Sequence, residues 1–178
     1  VPVSADVISL LLRCEDIHRK TDGAFDVTVG PLSRLYGLYE EEGRLPARTE
    51  IEEALKVVGM KWVDVDKRDM TVELRKPGVR LDFGGIGKGF ALDRAAEILR
   101  DHGVTAALLH GGKSTVYGIG APPGRDGWTV DISHPYNRER AIERVTLRDA
   151  SVSTSGCYGN MPAAGDEAFC DIFDPRDG

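Results

Sequence analysis

Residues 81–99 read LDFGGIGKGFALDRAAEIL and set Lys88 among Gly84, Gly85, Gly87 and Gly89. A strand expected over 79–83 leads into this cluster, and a helix expected over 89–101 leaves it. Backbone N–H groups that converge at a helix N-terminus favour an anion, and glycines let the main chain approach a phosphate without a Cβ in the way. Lys88 adds a mobile positive charge and Asp82 a fixed negative one at the strand end. The competing reading is a tight turn that needs glycine and nothing else. Two familiar phosphate motifs fail here. A P-loop requires Gly at position 82 and Ser or Thr at 89, which are Asp and Gly; a dinucleotide fingerprint requires GxGxxG, whereas Gly85, Gly87 and Gly89 give GxGxG.

Other groups carry chemistry more weakly. Asp26 and Thr28 in GAFDVTVGP alternate as on one strand face and either bind a polar ligand or cap a strand end. Gly111-Gly112 and the run SVSTSG over 151–156 offer small donors for a pocket lining, though neither GKSTV nor STSGC is a hydrolase elbow. Asp171, Asp174 and Asp177 form either a carboxylate cluster for a hard cation or an acidic loop. His18, His102, His110 and His134 are scattered singly, as surface or internally satisfied residues are.

The elements that must position these groups mix helices and short strands. Ser4 caps a helix to about His18 or Lys20, with Val7, Ile8, Leu11 and Leu12 at helical spacing. Asp22-Gly23 and Gly30-Pro31 mark turns, and 40–46 a solvated loop. Thr49 and Glu52 resemble a capping box for a helix ending at Gly59. Strands are expected over 62–65, 71–74, 79–83, 104–109, 114–119, 128–132, 141–147 and 150–154. The helix over 89–101 places Leu92, Ala95, Ala96 and Leu99 on one face and stops at Gly103. Without regular βαβ alternation the class is α+β.

At 178 residues and 41% hydrophobic content the chain supports a folded domain. A net charge of −6 argues against a nucleic-acid surface, which needs clustered Lys and Arg. Cys14, Cys157 and Cys170 cannot all pair internally and make no zinc spacing. No apolar run approaches membrane-helix length and no signal peptide opens the chain, so no membrane contact is expected from it. It opens VPVSADV and stops at FDPRDG, so 1–178 is expected to be a single domain incomplete at both ends and of low stability in isolation.

In order and spacing, TDGAFDVTVGPL, LDFGGIGKGFALDRAAEIL, LLHGGKS, SVSTSGCYGN and DIFDPRDG resemble five segments of the ApbE family, the FAD:protein FMN transferases. The resemblance implies an α+β fold of T-fold-like type, with mixed or antiparallel sheets and packed helices. It implies a Mg²⁺-assisted transfer of FMN from FAD to a Thr or Ser hydroxyl of an acceptor flavoprotein, with release of AMP. The alternatives it leaves open are an FAD pyrophosphatase and a homologue that only binds FAD. The family's FAD contacts fall on Ala24, Phe25, Asp26, Asp82, Lys88 and Ile172, and a main-chain metal ligand falls on Gly85. Its side-chain metal ligands have no counterpart in 1–178. Asp171 stands where the family has a histidine that activates the acceptor hydroxyl, Lys113 where it has an acid, and Asp177 where it has a threonine. A carboxylate is a weaker base near neutral pH than an imidazole. Relatives are often exported and lipid-anchored, which implies the same for the full-length parent.

Overall fold

The computed structural model describes residues 1–40, 43–112, 114–156, 163–164, 167–168 and 172–178. Ser4 accepts the Val7 N–H and opens α1 (Ala5–Lys20), whose Leu11 and Cys14 are fully buried. Pro31 fits the first turn of a helix because its missing N–H is one that a helix start leaves unused. Gly30-Pro31 therefore begins α2 (Gly30–Leu35) and is not a turn between strands. In α3 (Arg48–Leu55) the cap lies two residues before the expected one and is one-sided, since Ala47 has no side-chain acceptor. Glu50 accepts the Ala47 N–H at 2.9 Å, so the Thr49/Glu52 register is corrected and the helix stops short of Val58. Leu32, Ile51 and Val58 form a core against which Val29, Leu35, Tyr36, Ala54, Leu55 and Phe173 pack.

A single 3₁₀ turn (Met60–Trp62) precedes β1 (Val63–Asp66), which pairs antiparallel with β2 (Thr71–Leu74). The expected strand over 79–83 does not form. Its backbone meets only isolated partners: Val29 bridges Arg80, and the Asp82 N–H reaches the Val27 carbonyl at 2.7 Å. The opposing segment turns into α2 at once, so no ladder can propagate. Gly30 is required at this approach, since a Cβ there would lie 2.7 Å from Arg80 Cβ.

Contacts divide the chain into two compact units, 1–83 with 159–178, and 84–158. In the second, α4 (Gly87–Asp101) starts two residues earlier than expected and buries Leu92 and Ala96. Strands β3 (Ala107–Gly111), β4 (Thr115–Ile119) and β7 (Ala150–Ser153) form an antiparallel sheet with β4 in the centre. β5 (Trp128–His134) and β6 (Asn137–Leu147) make a long hairpin whose register shifts near Ser133. Gly118 leaves room for Trp128, whose indole donates to the Ile119 carbonyl at 2.9 Å. β8 (Ala163–Ala164) and β9 (Glu167–Ala168) pair antiparallel in the first unit. Helices and antiparallel sheets confirm the α+β class. No helix among the described residues is long and apolar enough to cross a membrane.

Candidate functional site

Asp26 and Thr28 do not alternate on a strand. They fold into a turn in which Asp26 Oδ1 accepts both the Thr28 N–H, at 2.8 Å, and the Thr28 hydroxyl, at 2.6 Å. Asp26 Oδ2 accepts the Met60 N–H at 3.1 Å and lies 3.2 Å from His18 Nδ1. Two carboxylate oxygens can take about four donors; here three are hydrogen-bonded to them, with the His18 ring nitrogen close by. The Thr28 hydroxyl in turn accepts the Gly59 N–H at 2.5 Å. His18 Nδ1 also lies 3.0 Å from the Phe25 carbonyl; both neighbours are acceptors, so this nitrogen carries the proton. The Ala24 N–H donates to the Thr21 carbonyl and the Phe25 N–H to its hydroxyl. The loop is thus tied to α1 and to the 3₁₀ turn, with Asp26 and Thr28 buried.

Asp82 extends from the segment pinned on Val27. Its Oδ2 accepts two hydroxyls at 2.5 Å each, from the buried Ser33 on α2 and from Tyr39 just beyond that helix. Loss of water around the Tyr39 hydroxyl, with the Asp82 bond and charge, pushes the phenol up to about 12. It remains a protonated donor throughout the physiological range. Composition and periodicity gave no sign of Ser33 or Tyr39 as partners of Asp82; the only local signal was an aromatic beside a turn.

In the second unit, the early start of α4 brings Lys88 into its first turn. The first N–H groups of a helix have no acceptor within it, and among the described residues no side chain caps this end. Lys88 is exposed and donates to Ser114 Oγ at 2.5 Å. The Ser114 carbonyl accepts the Thr154 N–H at 2.8 Å, and Thr115 and Ser153 share a hydrogen bond of 3.0 Å. The glycine cluster, Ser114 beyond Gly111-Gly112, and the segment 151–156 therefore converge. A Cβ on Gly89 or Gly112 would meet nothing within 4 Å, so the main chain beside Lys88 is open. An ammonium, hydroxyls and the backbone donors of a helix start together form a site suited to phosphate oxygens.

The remaining expectations divide. Ile172 is exposed, and Phe173 beside it stacks on Tyr36 at 4.8 Å. Asp174 is engaged by Arg176, whose guanidinium holds its carboxyl down to about 2. Asp171, Lys113, Cys157 and Cys170 lie outside the described residues. Among the described residues no three acidic, imidazole or thiol side chains gather where they could hold a metal ion. A Mg²⁺ ion takes six oxygens in near-octahedral geometry, so the Gly85 carbonyl supplies at most a fraction of such a site.

The ApbE family model matches residues 1–178. The FAD:protein FMN transferase of Salmonella typhimurium is 32% identical over 99% of this chain and 52% of its own length. That of Escherichia coli K12 is 30% identical over the same shares, 99% and 52%. The chain thus spans about half the length of the curated relatives it matches. The crystal structure of the Thermotoga maritima ApbE protein superimposes with a TM-score of 0.91 at 35% identity, over 99% of this chain and 57% of that one. The Pseudomonas stutzeri flavinyl transferase ApbE, in its apo form, gives 0.83 at 26% identity, over 99% and 54%. With the family model matched from end to end and the helix and sheet arrangement shared, the chain belongs to the ApbE family.

Proposed function

We propose that this chain is the FAD-holding part of a Mg²⁺-dependent FAD:protein FMN transferase. The observation that carries the reading is Lys88, exposed in the uncapped first turn of α4 and hydrogen-bonded to Ser114. A pyrophosphate oxygen can take the place of that serine and gain charge as well as a hydrogen bond. Asp82, the Ala24, Phe25 and Asp26 backbone, and Ile172 supply further contacts to FAD. The Gly85 carbonyl gives one ligand to Mg²⁺, which when bound neutralises phosphate charge.

The reaction balances as a phosphoryl transfer. The acceptor flavoprotein's Thr or Ser Oγ bonds to the flavin-side phosphorus, the bond from that phosphorus to the bridging oxygen breaks, and AMP leaves with that oxygen. The hydroxyl proton passes to a base, the role assigned to Asp171. A second reading, an FAD-binding homologue that does not transfer, draws on Asp171 and Lys113 standing where the family has histidine and an acid. We further propose, on the family resemblance alone, that the full-length protein is exported or membrane-anchored, which cell fractionation checks.

The test incubates the full-length protein with FAD and Mg²⁺, with and without an acceptor flavoprotein, and follows AMP, free FMN and acceptor mass. AMP with an acceptor heavier by one FMN supports the transferase. AMP with free FMN alone means hydrolysis, and intact FAD with saturable binding means the site only holds the nucleotide.

A further inference from the structure

The bond between Lys88 and Ser114 has two ends that are held very differently. Lys88 is exposed, and its ammonium rides on a flexible four-carbon stem. Ser114 is half-buried and fixed by its own backbone. Its carbonyl accepts the Thr154 N–H at 2.8 Å and the Thr154 hydroxyl at 3.4 Å. The next residue, Thr115, is buried at the start of β4, pairs with Ser153 across the sheet and shares a hydroxyl bond of 3.0 Å with it. The serine therefore cannot follow the ammonium when the lysine turns. Space for that turn exists, since a Cβ on Gly89, the neighbour of Lys88, or on Gly112 would meet nothing within 4 Å. A neutral hydroxyl offers the ammonium a hydrogen bond at 2.5 Å but no opposite charge, whereas a phosphate oxygen offers both.

We propose that Ser114 is a positioning residue that acts as an internal competitor for Lys88: its hydroxyl holds the ammonium, and the pyrophosphate of FAD must displace it to use that charge. This rests on the reading of Lys88 as a phosphate contact. When only the molecules with a released lysine are competent, the apparent dissociation constant rises by the reciprocal of their fraction. Removing the hydroxyl raises that fraction, so taking a polar group out of the site tightens binding. A serine that stayed in place and donated its own proton to the phosphate would give the opposite sign.

The experiment is a double-mutant cycle on FAD affinity in the full-length protein, with Ser114→Ala, Lys88→Ala and the pair, each checked by thermal melting without ligand. The net worth of one hydrogen bond supports an expectation of about threefold to tenfold tighter FAD binding for Ser114→Ala. The same change should have no effect in the Lys88→Ala background, and Ser114→Thr, which keeps the hydroxyl, should bind as wild type does. Unchanged or weaker binding in Ser114→Ala beside a weakened Lys88→Ala overturns the competitor role while leaving Lys88 in place. Equal tightening in both backgrounds, or in Ser114→Thr as in Ser114→Ala, assigns the effect to the loop and not to the hydroxyl, and overturns it as well. Wild-type affinity in Lys88→Ala overturns the phosphate contact itself and with it the reason for Ser114 to act.

Discussion

The Asp26 cluster and the Lys88 cluster hold similar residue types in similar glycine-rich surroundings and are built in opposite ways. Asp26 is 5% exposed and receives two backbone N–H groups and one hydroxyl, with His18 Nδ1 3.2 Å away, so both carboxylate oxygens are engaged within the protein. Lys88 is exposed, donates to Ser114, and stands at a helix end with no side-chain cap among the described residues. A buried polar group with all partners inside the fold stabilises a loop. An exposed one whose bond can be exchanged for a ligand's is available for binding. The difference separates structural from ligand-binding polar residues better than residue type does.

The strongest way to break this comparison is Asp26→Ala. It leaves the Thr28 and Met60 amides and the Thr28 hydroxyl without their acceptor, and urea unfolding is expected to show a loss of about 3–5 kcal/mol, as when one partner of a buried charged network is removed. A loss under 1 kcal/mol would mean the cluster is not structural. Gly30→Ala comes next. Its new Cβ would meet Arg80 at 2.7 Å, and the backbone shift should cost about 1–3 kcal/mol and loosen the segment that carries Asp82. Hydrogen exchange at the Asp82 amide should rise with it; unchanged exchange would place the strain elsewhere.

Smaller effects sharpen the contrast. Burial pushes the Cys14 thiol up to about 11, so alkylation at pH 8 should be slow in the native protein and fast in urea. Rapid native modification would contradict the burial of α1. Asp174, held down to about 2 by Arg176, favours its ionised form in the fold. Its contribution is present above the ordinary value of 3.8 and disappears as pH falls through about 2. Carboxyl NMR should place the titration near the lower value and return it toward the ordinary one in Arg176→Ala.

Local signals were legible in the sequence where they were sufficient by themselves. Ser4 with its helical apolar spacing marked α1, and alternation with short polar turns marked β1, β2 and β4. The segments 26–30 and 79–83 were misread because alternating apolar residues there look like strands. Asp26 takes the Thr28 amide for a turn, and Pro31 starts a helix before a ladder can grow. At the candidate site the glycines and Lys88 were visible, but Ser114 lies 26 residues away and Ser33 lies 49 residues from Asp82. Pairings at that range depend on the packed fold, and no periodicity in one sequence records them.

The most direct measurement is FAD affinity, by flavin fluorescence, set beside urea unfolding for wild type and Lys88→Ala. Loss of a charge-assisted bond to phosphate should weaken FAD by about tenfold or more, while an exposed side chain should leave stability within about 0.5 kcal/mol. Wild-type affinity in a folded Lys88→Ala protein would contradict the account.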